Sequence, residues 1–236
     1  MEIKRILTRE NRTYFWSSGD LNTEFGLIKG KDIKKPKDKV FSNTKNEFKI
    51  FDANFTDKIS KIKRGPAIIL PKDIGLIMTS TGINKNSKVL DAGTGSGVLS
   101  SYLANFCKTV YSYEINKEFY DLAKKNFSDL NIKNIILKNK SVKDISEKDL
   151  DLIALDLPNP EIALDSAYKV LKSGSFLVIY LPNITQVIDI VKKASEFKLI
   201  KVVELIEREW HVESHRVRPH SLMIGHTAFL IFFRKI

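Results

Sequence analysis

The stretch Lys88-Val89-Leu90-Asp91-Ala92-Gly93-Thr94-Gly95-Ser96-Gly97-Val98-Leu99 constrains this chain more than any other, because an apolar run passes through three alternate glycines into a helical pattern. Glycine lacks a Cβ and accepts positive φ, so backbone N–H groups in such a turn lie open to a ligand at the start of the next helix. The spacing limits which ligand. Dinucleotide folds use G-x-G-x-x-G and P-loops continue into G-K-[ST]; neither continuation follows Gly97. The pattern therefore argues against NAD and ATP.

Strand and helix signals alternate around this loop. Ile74, Leu76 and Ile77 at helical spacing predict a short helix before Gly82, and Val98 to Phe106, Phe119 to Leu130, Ile162 to Leu171 (closed by Gly174) and Val187 to Phe197 read as further helices. Val110 to Glu114, Ile135 to Leu137, Leu152 to Leu157, Phe176 to Leu181, Leu199 to Ile206 and Ala228 to Phe233 read as strands. Such alternation predicts helices flanking a mostly parallel sheet, with ligands outside the carboxyl ends of its strands. Three acids then share one rim. Asp91 lies in the first strand, and Glu114, 23 residues on, ends the second, where a doubly wound fold puts a carboxylate for ribose hydroxyls. Asp156 lies near the end of the fourth and is followed by Leu157-Pro158-Asn159-Pro160, where two prolines stiffen the turn and remove N–H groups.

The D-x-G-x-G-x-G…E pattern resembles the S-adenosylmethionine (SAM) site of class I methyltransferases, which implies Gly93, Thr94, Gly95, Ser96 and Gly97 around the cofactor and Glu114 on its ribose. A tight strand-to-helix turn in another α/β protein is the alternative reading of the glycines.

Residues 1–55 show short runs, Tyr14-Phe15-Trp16, Phe25-Gly26-Leu27-Ile28 and Phe48-Lys49-Ile50-Phe51, broken by Gly, Asp and Asn, which predicts a small β domain. Lys29 to Lys37 is a basic Pro/Gly-containing loop, and residues 56–66 read as a basic linker breaking near Pro66. The expected organisation is a basic β domain with linker over 1–66 and a Rossmann-like domain over 67–236. Net charge is +11, and residues 1–66 hold 16 Lys/Arg against 9 Asp/Glu. A positive field of this kind favours polyanions, nucleic acid first, although solvated lysine accounts for it equally well.

The longest apolar runs, such as Phe176 to Leu181, fall far short of the roughly 20 residues of a spanning helix, so no membrane anchor is expected. Met1 to Arg5 lacks the apolar core of a secretion signal, and a lone Cys107 cannot form an internal disulfide; both point to a reducing cytoplasm. All four histidines lie between 211 and 226. His211 and His215 are four apart but lack the H-E-x-x-H pattern and a cysteine pair, so no metal is expected. Arg216, Arg218 and His226 beside Trp210 read instead as polar and stacking contacts to nucleic acid, with a plain surface hairpin as the alternative.

With Pro71-Lys72-Asp73, Ser112-Tyr113-Glu114, Asp156-Leu157-Pro158-x-Pro160, Pro182-Asn183-Ile184-x-Gln186-Val187, Arg208-x-Trp210-x-Val212, Arg218-Pro219 and Gly225-His226-Thr227-x-Phe229-Leu230, the chain resembles the tRNA adenine-N1 methyltransferases that modify a T-loop adenosine. The resemblance spans most of the chain. It implies a class I SAM-dependent methyltransferase fold, a seven-stranded mostly parallel sheet with a small N-terminal β domain, SAM as methyl donor, tRNA as partner, a homotetramer, and 1-methyladenosine at position 58, with 57 as a second candidate. It further implies that Asp156 contacts the acceptor base and the cofactor, that Leu70, Pro158, Trp210, Arg216, Arg218 and His226 face the substrate, and that Ser141 lies at the cofactor's adenine. Three positions depart from the family: Leu70 replaces an aromatic residue, Glu161 a tryptophan, and Ser141 stands where an aspartate is usual. The other readings are a tRNA-binding subunit without activity and a protein isoaspartyl or small-molecule methyltransferase.

Overall fold

A computed structural model describes residues 2–35, 38–65 and 68–236. The chain divides into two compact units, Met1–Lys63 with Ser128–Asn131, and Arg64–Phe127 with Ile132–Ile236. Pro36, Lys37 and the expected break at Pro66 lie outside the described residues.

In the first unit, β1 (Arg5–Arg9), β2 (Arg12–Trp16), β5 (Lys39–Phe41) and β6 (Glu47–Asp52) form an antiparallel sheet in the order β2-β1-β6-β5, while β3 (Leu21–Thr23) and β4 (Gly26–Ile28) make a separate hairpin. The alternation of β6 shows why: Phe48 and Ile50 are buried and Lys49 and Phe51 are exposed, the period of two that a half-solvated strand requires. Phe48 and Ile50 join Leu7, Trp16, Ile28, Ile33 and Val40 in a small apolar core. Two short helices interrupt this pattern, α1 (Gly30–Ile33) within the expected basic loop and α2 (Phe55–Ser60) within the expected linker. The second corrects the linker reading. Asn54 and Asp57 form a reciprocal capping box, which satisfies two otherwise orphaned N–H groups and nucleates a helix among the lysines.

The second unit begins with α3 (Pro71–Thr81), which takes Pro71 in its first turn and ends at Gly82 in the left-handed conformation. Then follow β7 (Lys88–Ala92), α4 (Val98–Ala104), β8 (Thr109–Tyr113), α5 (Lys117–Asp129), β9 (Ile135–Lys138), β10 (Leu150–Leu155), α6 (Leu164–Val170), β11 (Leu171–Leu181), α7 (Ile184–Lys193), β12 (Lys198–Glu204), β13 (Trp210–Glu213), β14 (Arg216–Pro219) and β15 (Phe229–Arg234). Seven strands pair in the order β12-β15-β11-β10-β7-β8-β9. Only β15 is reversed, running antiparallel to both neighbours. Leu90, Leu150, Ile153, Leu155, Leu177 and Ile179 are essentially inaccessible at the centre of the sheet, each contributing about 1.5–3 kcal/mol by burial. From β7 the chain winds toward β9, and from β10 it winds the other way, so the crevice between β7 and β10 is the switch point where ligands of open α/β sheets bind.

One boundary differs from the sequence expectation for a specific reason. Gly174 does not close a helix; α6 ends at Val170 and β11 starts at Leu171, with Gly174 inside it at φ +83°. Its N–H donates to the Lys235 carbonyl at 2.7 Å, so the glycine kinks a strand that continues pairing. Cys107 is buried, which pushes its thiol up to about 11 and leaves it a packed apolar group rather than a nucleophile.

Candidate active site

Gly93 follows β7 at φ +84°, and a Cβ there would stand 2.0 Å from the Asp156 carbonyl oxygen. Only glycine lets the loops after β7 and β10 touch, and the Asp156 N–H completes the join by donating to the Ala92 carbonyl at 2.8 Å. The glycine turn and the aspartate are thus one construction across the switch crevice.

The three acids of this rim have three different fates. Asp91 is buried beneath the loop and accepts from the Ser100 hydroxyl; Ser100, Ser112 and Thr94 then form a chain of hydroxyls with 2.7 Å spacings. Burial pushes the Asp91 carboxyl up to about 7, assisted by the charges of Asp156 and Glu114 and opposed by Ser100. Asp91 therefore holds the turn and does not reach out of it. Glu114, just past β8, is also buried, but each oxygen accepts one backbone N–H: Gly95 at 2.9 Å and Asn116 at 2.8 Å. Each oxygen retains a free lone pair for a ligand hydroxyl. Asp156 is half-buried, and among the described residues no donor reaches its carboxylate; desolvation pushes it up to about 6.

Two further observations fit a cofactor at this turn. The Ser96 hydroxyl is buried with no hydrogen-bond partner, a condition that costs about 1–3 kcal/mol unless a ligand or water satisfies it. A Cβ on Gly95 would meet nothing nearer than 3.9 Å, so the middle of the turn opens onto free space while Gly93 packs tightly. A ligand with ribose hydroxyls and polar substituents fits this cradle.

The remaining expected site residues sit in loops and at the ends of elements. Ser141 caps a single 3-10 turn (Val142–Asp144) after β9 by accepting from Lys143 N–H, so its hydroxyl is partly committed to the backbone. Below it, Glu147 accepts from Tyr113 and Lys138, tying the loop back to β8 and β9. Pro158 is exposed and its carbonyl lies 3.4 Å from Gln186 of α7, while Pro160 is buried and starts a second 3-10 turn. Glu161, in the place of the expected tryptophan, pairs with Lys193 at 3.0 Å. Leu70 caps α3 and lines a cavity of about 230 Å³ with Lys72, Glu207, Glu209, His220, Leu222, Met223 and Ile224.

Two of the expected groupings are arranged differently in the structure. Trp210 and the arginines do not stand together. In the β13–β14 hairpin, Trp210 opposes Pro219 and Val212 opposes Val217, whereas His211 opposes Arg218 and Glu213 opposes Arg216. Directly opposed residues share a face and successive residues alternate, so Trp210, Val212 and Val217 form an exposed apolar face and Arg216 and Arg218 lie on the other. His226 does not present a free polar edge either. Its Nδ1 is 2.5 Å from a Glu204 carboxylate oxygen and its Nε2 is 2.7 Å from the Pro182 carbonyl. Both ring nitrogens are taken within the chain.

A polar cluster that sequence reasoning left out of the site lies between α3 and the ends of β11 and β15. Asp73 is fully buried; it pairs with Lys72 at 2.8 Å, accepts from Thr227 at 3.1 Å, and has the Tyr180 hydroxyl 3.5 Å away. Lys72 also donates to Thr227 at 2.8 Å. Burial first, then the charges of Asp73 and Asp156, push Tyr180 up to about 12, so it remains a neutral phenol. The sequence carries the signal as an aspartate ahead of Ile74 and Ile77 on a buried helix face and a tyrosine hydroxyl within the apolar run Phe176 to Leu181.

Residues 61–228 match the family described as the GCD14 subunit of the tRNA methyltransferase complex. The chain is 34% identical over 264 residues to tRNA (adenine(57)-N(1)/adenine(58)-N(1))-methyltransferase of Methanocaldococcus jannaschii, covering 98% of this chain and 91% of that protein. A solved tRNA (m1A58) methyltransferase from Aquifex aeolicus superposes with a TM-score of 0.83 at 27% identity, covering 99% of this chain and 96% of its own. A SAM-dependent O-methyltransferase from Thermotoga maritima superposes with a TM-score of 0.87 at 27% identity, covering 99% and 93%.

Proposed function

The chain belongs to the tRNA methyltransferase family described by the GCD14 subunit, and from that premise we propose that Asp156 is the residue that presents adenine to the methyl donor. The protein is a SAM-dependent tRNA (adenine-N1)-methyltransferase that forms 1-methyladenosine in the T-loop at position 58, with 57 as a second acceptor in the manner that the Methanocaldococcus relative's name records. The Thermotoga structure carries an O-methyltransferase designation, but the relative at 34% identity over nearly the whole chain carries the acceptor to nitrogen.

The observation that carries the Asp156 role is its unpartnered carboxylate beside the glycine turn, while Asp91 and Glu114 are both engaged. When bound, SAM supplies an electrophilic sulfonium methyl. Adenine N1 has an in-plane lone pair and needs no prior deprotonation, so the chain's work is alignment and electrostatics. Asp156 accepts a hydrogen bond from the exocyclic amine, turns N1 toward the methyl, and offsets the positive charge left on the base. Glu114 holds the ribose hydroxyls with its spare lone pairs, Ser96 satisfies a polar group of the cofactor, Gly95 keeps the middle of the turn open, and Gly93, Thr94 and Gly97 lock its frame against Asp156, Ser112 and Phe127. Ser141 closes the adenine side. Because N1 in folded tRNA is engaged in pairing, the nucleotide is extruded, leaving Leu70 and Pro158 to meet it as apolar surface.

For the hairpin, the same reading divides two tasks. Arg216 and Arg218 face tRNA phosphates, and the apolar face of Trp210, Val212 and Val217 meets further copies of this chain in a homotetramer. Exposed valines on a continuous strand face support that assignment. Among the described residues no helix is long and apolar enough to cross a membrane, and a free Cys107 supports a cytoplasmic setting.

Labelled SAM, unmodified tRNA and nucleoside analysis of the digest test this reading. Labelled 1-methyladenosine is expected; label in another nucleoside, or none with SAM still bound, overturns it.

A further inference from the structure

The sequence pattern places His226 among substrate contacts, yet its ring faces two acceptors at once. Nδ1 meets the carboxylate at the end of β12 (Glu204, 2.5 Å) and Nε2 meets the carbonyl of Pro182, just after β11 (2.7 Å). Neither partner can donate. A neutral imidazole has one N–H and one lone pair, so it satisfies one of these contacts and sets a lone pair against the other; only the imidazolium satisfies both.

We infer that His226 works as a cationic clamp, a positioning residue that fastens the segment entering β15 to the ends of β11 and β12 and thereby sets Thr227 in the Lys72–Asp73 cluster. Thr227 follows directly, accepting from Lys72 and donating to Asp73, and the Tyr180 hydroxyl stands over the same Asp73 oxygen. The chain of contacts ends at the phenol whose charge environment includes Asp156.

The two hydrogen-bond acceptors facing the ring favour its charged form, and one neighbouring cation opposes it. Hydrogen bonding to Glu204 raises the His226 pKa most, the Pro182 carbonyl raises it further, partial desolvation and the Lys72 charge oppose, and the Phe229 ring lies 5.0 Å away. A raised folded pKa means that the clamp is complete below the ordinary histidine range and is lost as pH rises through the raised value. Activity is expected to fall on the alkaline side for this reason.

The kinetic consequence rests on the methyltransferase reading; the protonation state does not. With 15N-histidine and methyl-labelled threonine in the full chain, NMR is expected to find His226 protonated on both nitrogens at neutral pH, with the Thr227 methyl shifting at the same midpoint. A ring carrying one proton at neutral pH, or a Thr227 signal indifferent to that midpoint, overturns the clamp whether or not the protein turns over. Glu204→Gln is expected to lower the midpoint by about one pH unit and to move the alkaline limb of kcat with it, leaving KM for SAM unchanged. His226→Gln, which cannot serve both acceptors as a cation, is expected to lower kcat about tenfold and abolish the limb. An alkaline limb that stays in place in Glu204→Gln overturns the positioning role.

Discussion

The glycine turn and the β13–β14 hairpin lie in the same unit and treat their own side chains in opposite ways. Around the turn, the buried acids Asp91 and Glu114 are spoken for, and the loops interlock so tightly that one added methyl group would overlap a carbonyl. On the hairpin, Trp210, Val212 and Val217 are 55, 71 and 64% exposed, a state no isolated strand pair favours. A small ligand gains most from a site already in place, since it brings few contacts to offset the ordering of loops. A surface that meets macromolecules can leave its apolar area for the partner to cover. The contrast teaches that Ser96 and Asp156, unsatisfied groups beside the turn, are the ones a ligand must meet.

The largest expected effect sharpens that contrast at Asp156. Asp156→Asn is expected to lower kcat by about 10³-fold, comparable with loss of a preorganised electrostatic contact, and to change SAM affinity less than about threefold. Equal losses in both would assign Asp156 to the cofactor. The same substitution is expected to stabilise the protein. A carboxyl held at about 6 in the folded state, above its ordinary range, costs stability once ionised; the cost is absent below the unfolded value and grows as pH rises toward the folded one. At mildly alkaline pH the asparagine variant is expected to gain about 1–2 kcal/mol in denaturant unfolding. Wild-type activity is correspondingly expected to rise with pH through about 6, which a kcat–pH profile checks.

Next in size is a pair of glycine substitutions within the turn. Gly93→Ala must accommodate both a left-handed alanine and a collision with the Asp156 carbonyl, and is expected to cost about 3 kcal/mol or more. Gly95→Ala meets open space and is expected to cost about 1–2 kcal/mol of strain while lowering SAM affinity by at least tenfold. Thermal unfolding with and without SAM separates them. Two variants equal in stability would break the claim that the turn is locked on one side and open on the other.

How much of this was legible depends on the range over which each feature is encoded. Strand and helix periodicities are local, and they place the parallel sheet, the glycine turn, Glu114 and Asp156 correctly. The Asn54–Asp57 capping box is equally local, and it was outweighed by the lysines around it. Gly174 reads as a helix stop because glycine punctuates helices and strands alike, and only pairing with Lys235 distinguishes the two. The Asp73 cluster joins residues more than 100 positions apart, which no local pattern encodes. Trp210 and the arginines are close in sequence but separated by strand alternation, a distinction that follows from period two once the hairpin register is known.

On the hairpin the effects are expected to be smaller and to divide by face. Val217→Glu places a charge on the apolar face and is expected to shift the assembly toward smaller species in sedimentation equilibrium, with monomer unfolding changed by less than about 0.5 kcal/mol. An unchanged assembly state would remove this face from the proposed tetramer.

The smallest effect falls on the other face. Arg216 and Arg218 are exposed, and among the described residues Arg218 makes one side-chain bond, to Ser221 at 2.7 Å. Neither arginine holds the fold, so the double variant Arg216→Ala, Arg218→Ala is expected to unfold as wild type does and to bind SAM equally well. What changes is the coupling to salt. Each phosphate neutralised by the protein releases condensed counterions, so log affinity for nucleic acid falls with log salt by about 0.7 to 0.9 per contact. Losing both arginines is expected to make the slope for tRNA shallower by between one and two, with a several-fold weaker affinity at low salt that narrows as salt rises. A wild-type slope in the double variant would place the phosphate contacts elsewhere in this basic chain, and the hairpin would then be an assembly element on both faces rather than an element divided between protein and RNA.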